Sequence, residues 1–279
     1  MSELIKKAKE NVPKVYDAGH KVGVEEGYDN GLDAAIDVHE EFLADKPKTH
    51  YDTFWDSFQN KGNRTNYFYA FYSNGGCWND ITFNPKYNII PEGSVSNLFR
   101  YCACADIWGI CKKNNVTIDL SNATDFSYAF ANISTAELGI IDISKATTAN
   151  ATAYMFAYNF TRVKSIEKLI SSEATVYNKN NTFSGATGLE NLIVEGVIGK
   201  DGFNVQWSTN LNKASIKSII NALSSTTTGL TVTLSATAVN KAFETSEGLA
   251  DGSTSAEWIT LAGNETTDGI RPNWTILLV

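Results

Sequence analysis

The hexapeptide TIDLSN at 117–122, followed by Phe126 and by YAFAN at 128–132, returns in altered form as IIDISK at 140–145 followed by YMFAYN at 154–159. A third copy opens with SIEKL at 165–169 and reaches NTFSGA at 181–186, and a fourth opens with LENLIV at 189–194 and then fades. The copies start at steps of 141 − 118 = 23, 166 − 141 = 25 and 192 − 166 = 26 residues, and their phenylalanines step by 156 − 130 = 26 and 183 − 156 = 27. A spacing of this size predicts a solenoid, with one strand and one turn in each coil. No single coil can bury its own apolar face, so the core exists only between stacked neighbours.

Side chains alternate along a strand. If Ile118 and Leu120 point inward, Thr117 and Asp119 point outward. The same phase sends Ile140 and Asp142, Ser165 and Glu167, and Asn191 and Ile193 to the outer face, which makes these eight residues the candidate ligand-binding set. Asp119, Asp142 and Glu167 are expected to be stacked neighbours at the ~4.8 Å strand spacing, raising one another's pKa and attracting cations. Such a row reads as a solvated acidic face, as a recognition surface for a basic or sugar partner, or as a catalytic acid/base pair. No cleft, nucleophile or histidine accompanies it, so no catalytic residue is assigned and the chain is expected not to be an enzyme.

The net charge of −8 argues against nucleic acid and against a membrane surface, and lysines cluster only in short pieces such as Lys6-Lys7 and Lys112-Lys113. No apolar run approaches the ~20 residues of a membrane helix. Residues 1–15 lack the apolar core of a secretory signal, and Met1-Ser2-Glu3 reads as a natural start. The cysteines are Cys77, Cys102, Cys104 and Cys111, and without export they are expected to be reduced. Cys102-Ala-Cys104 is too short for a zinc knuckle, and no histidine lies beyond His50, so inert buried thiols are favoured over a metal site. No phosphate loop or dinucleotide fingerprint is present, and no metal or cofactor is expected.

Four regions follow. Residues 1–47 read as a helical stalk in which Gly19, Gly23, Gly27 and Gly31 step by four. Each interior glycine costs about 0.8–1 kcal/mol against alanine. Close helix–helix approach would compensate, giving a self-association segment; the other reading is a flexible tether. Residues 48–88 are rich in aromatic residues, among them Trp55, Tyr67, Phe68, Tyr69, Phe71, Tyr72, Trp78 and Phe83. They form either a cap over the first coil or a sugar platform. Residues 89–210 hold the repeats. Residues 211–279 read as a closing cap: a helix over 211–223, a strand over 230–234, a helix over 236–245, another beginning near Ser255, and a last strand over 273–279. The predicted fold class is α/β, a solenoid with an N-terminal helical stalk and an α/β C-terminal cap.

The stretches IDLSNATDFSYAFAN and IDISKATTANATAYMFAYN resemble the BspA-like leucine-rich repeats of bacterial surface proteins, over about a third of the chain. That family's pattern is a short strand, a polar stretch, and YMF before the next unit. The run FWDSFQNKGNRTNYFYAFYSNGG, with the INALSSTTTGLTVTLS and RPNWTILLV segments near the end, is similar to parts of BspA-like proteins encoded by prophages of gut Firmicutes. The resemblance implies a non-enzymatic scaffold: a phage or prophage tail protein that is structural or receptor-binding and sits in the virion after cytoplasmic assembly. Its implied partners are itself, as a homotrimer, other tail proteins, and a host-surface protein or glycan. The alternative it leaves open is an exported cell-surface adhesin.

Overall fold

The structure, a computed structural model, describes residues 88–279 apart from Ala103, 179–180, 244–251 and 265–267. The expected stalk with its glycines at 19, 23, 27 and 31, and all of the expected aromatic cap except Asn88, lie outside the described residues.

Three strands, β1 (Glu137–Asp142), β2 (Ser165–Ser171) and β3 (Asn191–Gly196), form a parallel sheet in the order β1-β2-β3. Successive parallel strands need a long return path, commonly a helix. Here the return is turn-rich chain that stacks on itself through a second set of backbone hydrogen bonds. The N–H groups of Val95, Asn97, Phe99 and Tyr101 donate to the carbonyls of Asp125, Ser127, Ala129 and Ala131. Those of Phe126, Tyr128, Phe130 and Asn132 donate in turn to Ala151, Ala153, Met155 and Ala157, and those of Phe156 and Tyr158 to Thr182 and Ser184, all at 2.6–3.1 Å. Every second residue bonds the next segment through its backbone N–H, and among these donors Phe99, Phe126, Phe130 and Phe156 turn inward while Tyr128 and Tyr158 stay at the surface.

The inward residues build the core. Phe99, Phe130, Phe156, Phe183 and Phe203 form a column of buried rings, with successive centroids 5.9, 5.7, 5.0 and 5.5 Å apart. Ring pairs at such separations add about 0.5–1.5 kcal/mol each beyond the area they bury. Leu120, Leu138, Ile141, Ile166, Leu169, Leu192 and Val194 close the core from the strand side. Asn159 lies within it, fully buried: its Oδ1 accepts from the Ile133 N–H at 2.9 Å, and its Nδ2 donates to the carbonyls of Phe130 at 2.9 Å and Phe156 at 3.0 Å. One side chain thus pairs three backbone groups that the turns leave open.

The tight return requires left-handed backbone at fixed places. One column comprises Tyr101, Asn132, Tyr158 and Gly185, with φ of 60, 55, 61 and 71°. Another comprises Asn97, Tyr128 and Tyr154, with φ of 59, 58 and 55°. Such a conformation costs a non-glycine residue about 1–2 kcal/mol. The hydrogen bonds on either side and the buried phenylalanines between hold it in place.

Each edge of the sheet is covered. Ahead of β1, α1 (Ile107–Lys113) starts at Asp106, whose carboxylate caps the Gly109 N–H at 2.8 Å. It carries Trp108 against Phe99 and Phe130, at centroid distances of 6.3 and 6.1 Å. The indole rests on Gly139 of β1, where a Cβ would stand 2.3 Å from the ring. Beyond β3 comes α2 (Lys213–Ala222). Its Ser215 hydroxyl accepts from the Leu192 N–H at 2.9 Å. Its Ser218 hydroxyl accepts from the Val194 N–H at 2.8 Å and donates to the Val194 carbonyl at 3.0 Å. Two serines thus stand where a fourth strand would pair, which removes an exposed edge.

The remaining elements are β4 (Leu230–Leu234), α3 (Ala236–Ala242), a 3-10 turn (Gly252–Thr254), α4 (Ala256–Ala262) and β5 (Trp274–Leu278), with β4 and β5 parallel. The strands and helices fall where the sequence places them, with the helix expected over 211–223 spanning Lys213–Ala222 and the one expected over 236–245 ending at Ala242; the 3-10 turn was not expected. Asn212, Ser235 and Ser255 cap α2, α3 and α4 by accepting an N–H in the first turn.

Candidate functional site

The strand face comes first. Thr117, Ile140, Glu167 and Asn191 are exposed, and Asp119, Asp142, Ser165 and Ile193 are half-buried. The row of stacked carboxylates expected there does not form as predicted. Asp142 pairs with Ile170, and Glu167 falls between the pairs Leu138–Ile166 and Ile140–Lys168. The step from β1 to β2 is 169 − 141 = 28 residues, not the 25 read from the sequence. An irregularity in the β2–β3 pairing between Ile166 and Leu169 accompanies this, and it turns Glu167 and Lys168 outward together.

Asp119 and Asp142 also bend back on their own chain. Their carboxylates accept the N–H two residues ahead, from Ser121 at 3.0 Å and Ser144 at 2.9 Å, closing Asx turns at the strand ends. The backbone N–H and hydroxyl of Ser121 hold the Asp119 carboxyl below its usual pKa, with Lys145 contributing, which reverses the expected direction. The rest of this face is of mixed sign, with exposed pairs Lys168–Glu195 at 2.7 Å and Lys164–Glu190 at 3.1 Å. Exposed pairs of this kind contribute about 0–1 kcal/mol.

The more distinctive surface is the ridge formed by the left-handed turns. The Arg100 guanidinium lies over the rings of Tyr101 and Tyr128, 4.9 and 4.3 Å from their centroids. Tyr128 stacks on Tyr154 at 4.8 Å, and Tyr154 on Tyr158 at 6.1 Å, both with planes within 12°. Burial, then Tyr154, raises the Tyr128 hydroxyl's pKa, against the opposing pull of Arg100. Arg162 donates to the Asn132 side-chain oxygen and to the carbonyls of Tyr158 and Asn159. Phe160 follows, 54% exposed, and Trp207 is 45% exposed. The sequence reading placed Tyr128, Tyr154 and Tyr158 inside the repeat units and did not assign them to a surface. The recurrence of Tyr128 and Tyr154 at one phase of the repeat was the available signal.

The described thiols are less acidic than a free cysteine. Burial pushes Cys102 and Cys111 up to about 12, and Cys104 is also raised, mainly by burial. All three are free, and Cys77 lies outside the described residues. Among the described residues no group of three histidine, cysteine or acidic side chains is placed to hold a metal ion, and no helix is long and apolar enough to cross a membrane. The ridge presents aromatic rings, guanidinium groups and amides. No family model, no curated protein and no solved structure matches the chain.

Proposed function

We propose that the chain is a non-enzymatic structural or receptor-binding protein of a phage or prophage tail, built as a BspA-like leucine-rich-repeat solenoid. In this reading residues 1–47 join the copies, as a trimer, and the repeats form the head that meets a host-surface protein or glycan. The observation that carries it is the pairing of a regular core with an aromatic, arginine-bearing ridge on its turn side. A scaffold of stacked coils makes a long surface at little cost in sequence, and several weak contacts on one assembly multiply in effect. A cell-surface adhesin uses the same head in single copy and is the second reading.

Light scattering on the full chain separates the two. The tail reading expects a multiple of the 30.5 kDa chain mass, falling to a single copy when the chain begins at Thr49. A single copy in both cases removes the assembly role of residues 1–47 and leaves the adhesin in front. Receptor binding is read directly by saturable adsorption of labelled full chain to a panel of gut Firmicutes strains. Adsorption to none of them would sink this part of the proposal.

A further inference from the structure

We propose that the ridge binds an acidic glycan at a notch centred on Gly185, between the side chains of Phe160 and Trp207; this rests on the receptor-binding reading and names the ligand class for it. The left-handed column that carries Tyr101, Asn132 and Tyr158 reaches Gly185 in the next coil, and there the side chain is missing. On one side of the gap stands Phe160, whose Cε1 lies 3.7 Å from where a Gly185 Cβ would be. On the other side, the Ser208 hydroxyl donates to the Ala186 carbonyl at 3.0 Å, which places the neighbouring Trp207 one coil beyond Gly185. Two coil steps of ~4.8 Å separate the Phe160 and Trp207 positions by about 10 Å, with Gly185 between them.

The state of the ring faces points to a sugar. Tyr128 and Tyr154 have both faces covered, by Arg100, by each other and by Tyr158. Phe160 and Trp207 have no ring or cation partner among the described residues, and both are about half exposed. A flat apolar face open to water suits the C–H face of a pyranose ring, leaving the sugar's hydroxyl edge for amides and guanidinium groups.

Charge complementarity points to an acidic sugar. The chain carries a net −8, yet the ridge carries Arg100 and Arg162. Each is held by amide, carbonyl, hydroxyl or ring groups, and every ion pair among the described residues is made by a lysine. Two positioned guanidiniums without carboxylates suit a carboxylate-bearing chain, since arginine pairs with such groups in two-point fashion.

The test uses the full chain titrated with polygalacturonate, hyaluronan, neutral dextran and polyglutamate, read by calorimetry and tryptophan fluorescence. The proposal expects at least one acidic polysaccharide to bind, with dextran and polyglutamate much weaker. Phe160→Asn, which suits the left-handed backbone at this position (φ 45°), and Trp207→Ser should each weaken binding roughly tenfold without changing the melting curve. Arg162→Gln should remove the preference for acidic over neutral sugar. No binding of either acidic polymer, equal binding of dextran or polyglutamate, or unchanged binding by the aromatic variants would overturn it. Cell adsorption keeps the two proposals apart: variants that adsorb like the parent refute the notch alone, whereas a parent that adsorbs to nothing refutes receptor binding itself.

Discussion

Asn159→Ala tests the way the turns are held. The substitution removes the partners of the Ile133 N–H and of the Phe130 and Phe156 carbonyls, all within a core where Asn159 is fully buried. A buried backbone group left unpaired costs about 1–3 kcal/mol, so three of them set a floor near 3 kcal/mol. With a urea slope of about 3 kcal/mol per molar for a chain of this size, the unfolding midpoint should fall by about 1 M. Asn159→Asp sharpens the result. It keeps the acceptor for Ile133 but turns a second oxygen toward two carbonyls. Burial and those carbonyls raise its folded pKa above the unfolded value, so its stability is retained below the unfolded pKa and lost as pH rises. The Asp variant should therefore melt lower at pH 8 than at pH 5, relative to the parent. Asn132→Gly is the control: it keeps a left-handed residue and loses a half-buried side chain whose oxygen meets only Arg162. If Asn159→Ala costs no more than this control, the three hydrogen bonds do not hold the turn and the reasoning fails.

Gly139→Ala should force the Trp108 indole off β1, costing about 1–3 kcal/mol and shifting tryptophan emission; an unchanged spectrum and melting point would refute the contact. The Ser215→Ala, Ser218→Ala double variant orphans the Leu192 and Val194 N–H groups, so it should lose about 2–4 kcal/mol and self-associate on partial heating, checked by melting with light scattering. The Asp119 carboxyl has a lowered pKa, so its contribution is present above the unfolded value near 3.8 and is lost as pH falls through the folded value. Asp119→Asn, which keeps the Asx turn without the charge, should flatten acid-induced loss of stability in that window, and an acid titration identical to the parent's would contradict the assignment.

The part of the fold that could be read in advance is the part with one solution. Phe130, Phe156 and Phe183 recur at nearly constant steps because a column of rings admits little drift, and they do stack. Phe203 continues the column after only 203 − 183 = 20 residues, a shortened return that the preceding spacing does not foretell. Strand register was less legible, since Ile166 and Leu169 both turn inward and only the pairing shows that Leu169 stands beside Ile141. The aspartates were misjudged from strand alternation alone, although Asp-Leu-Ser and Asp-Ile-Ser already spelled an Asx turn. The ridge escaped notice because tyrosine is not a residue expected at positive φ. The helices and strands described in the last 69 residues were plain from periodicity, and the structure adds their caps, Asn212, Ser235 and Ser255.

The phenylalanine column also has a mechanical side. Each stretch of chain is fastened to the ones before and after it, and the bonds between them run along the stacking direction. Tension applied from the two ends of the stack loads those bonds one layer at a time, in the manner of a zipper. The 156 − 130 = 26 residues between stacked rings would straighten to about 90 Å at 3.3–3.6 Å per residue, where the intact layer occupied ~4.8 Å. A molecule built this way lengthens in large, countable steps while the remaining layers keep their shape.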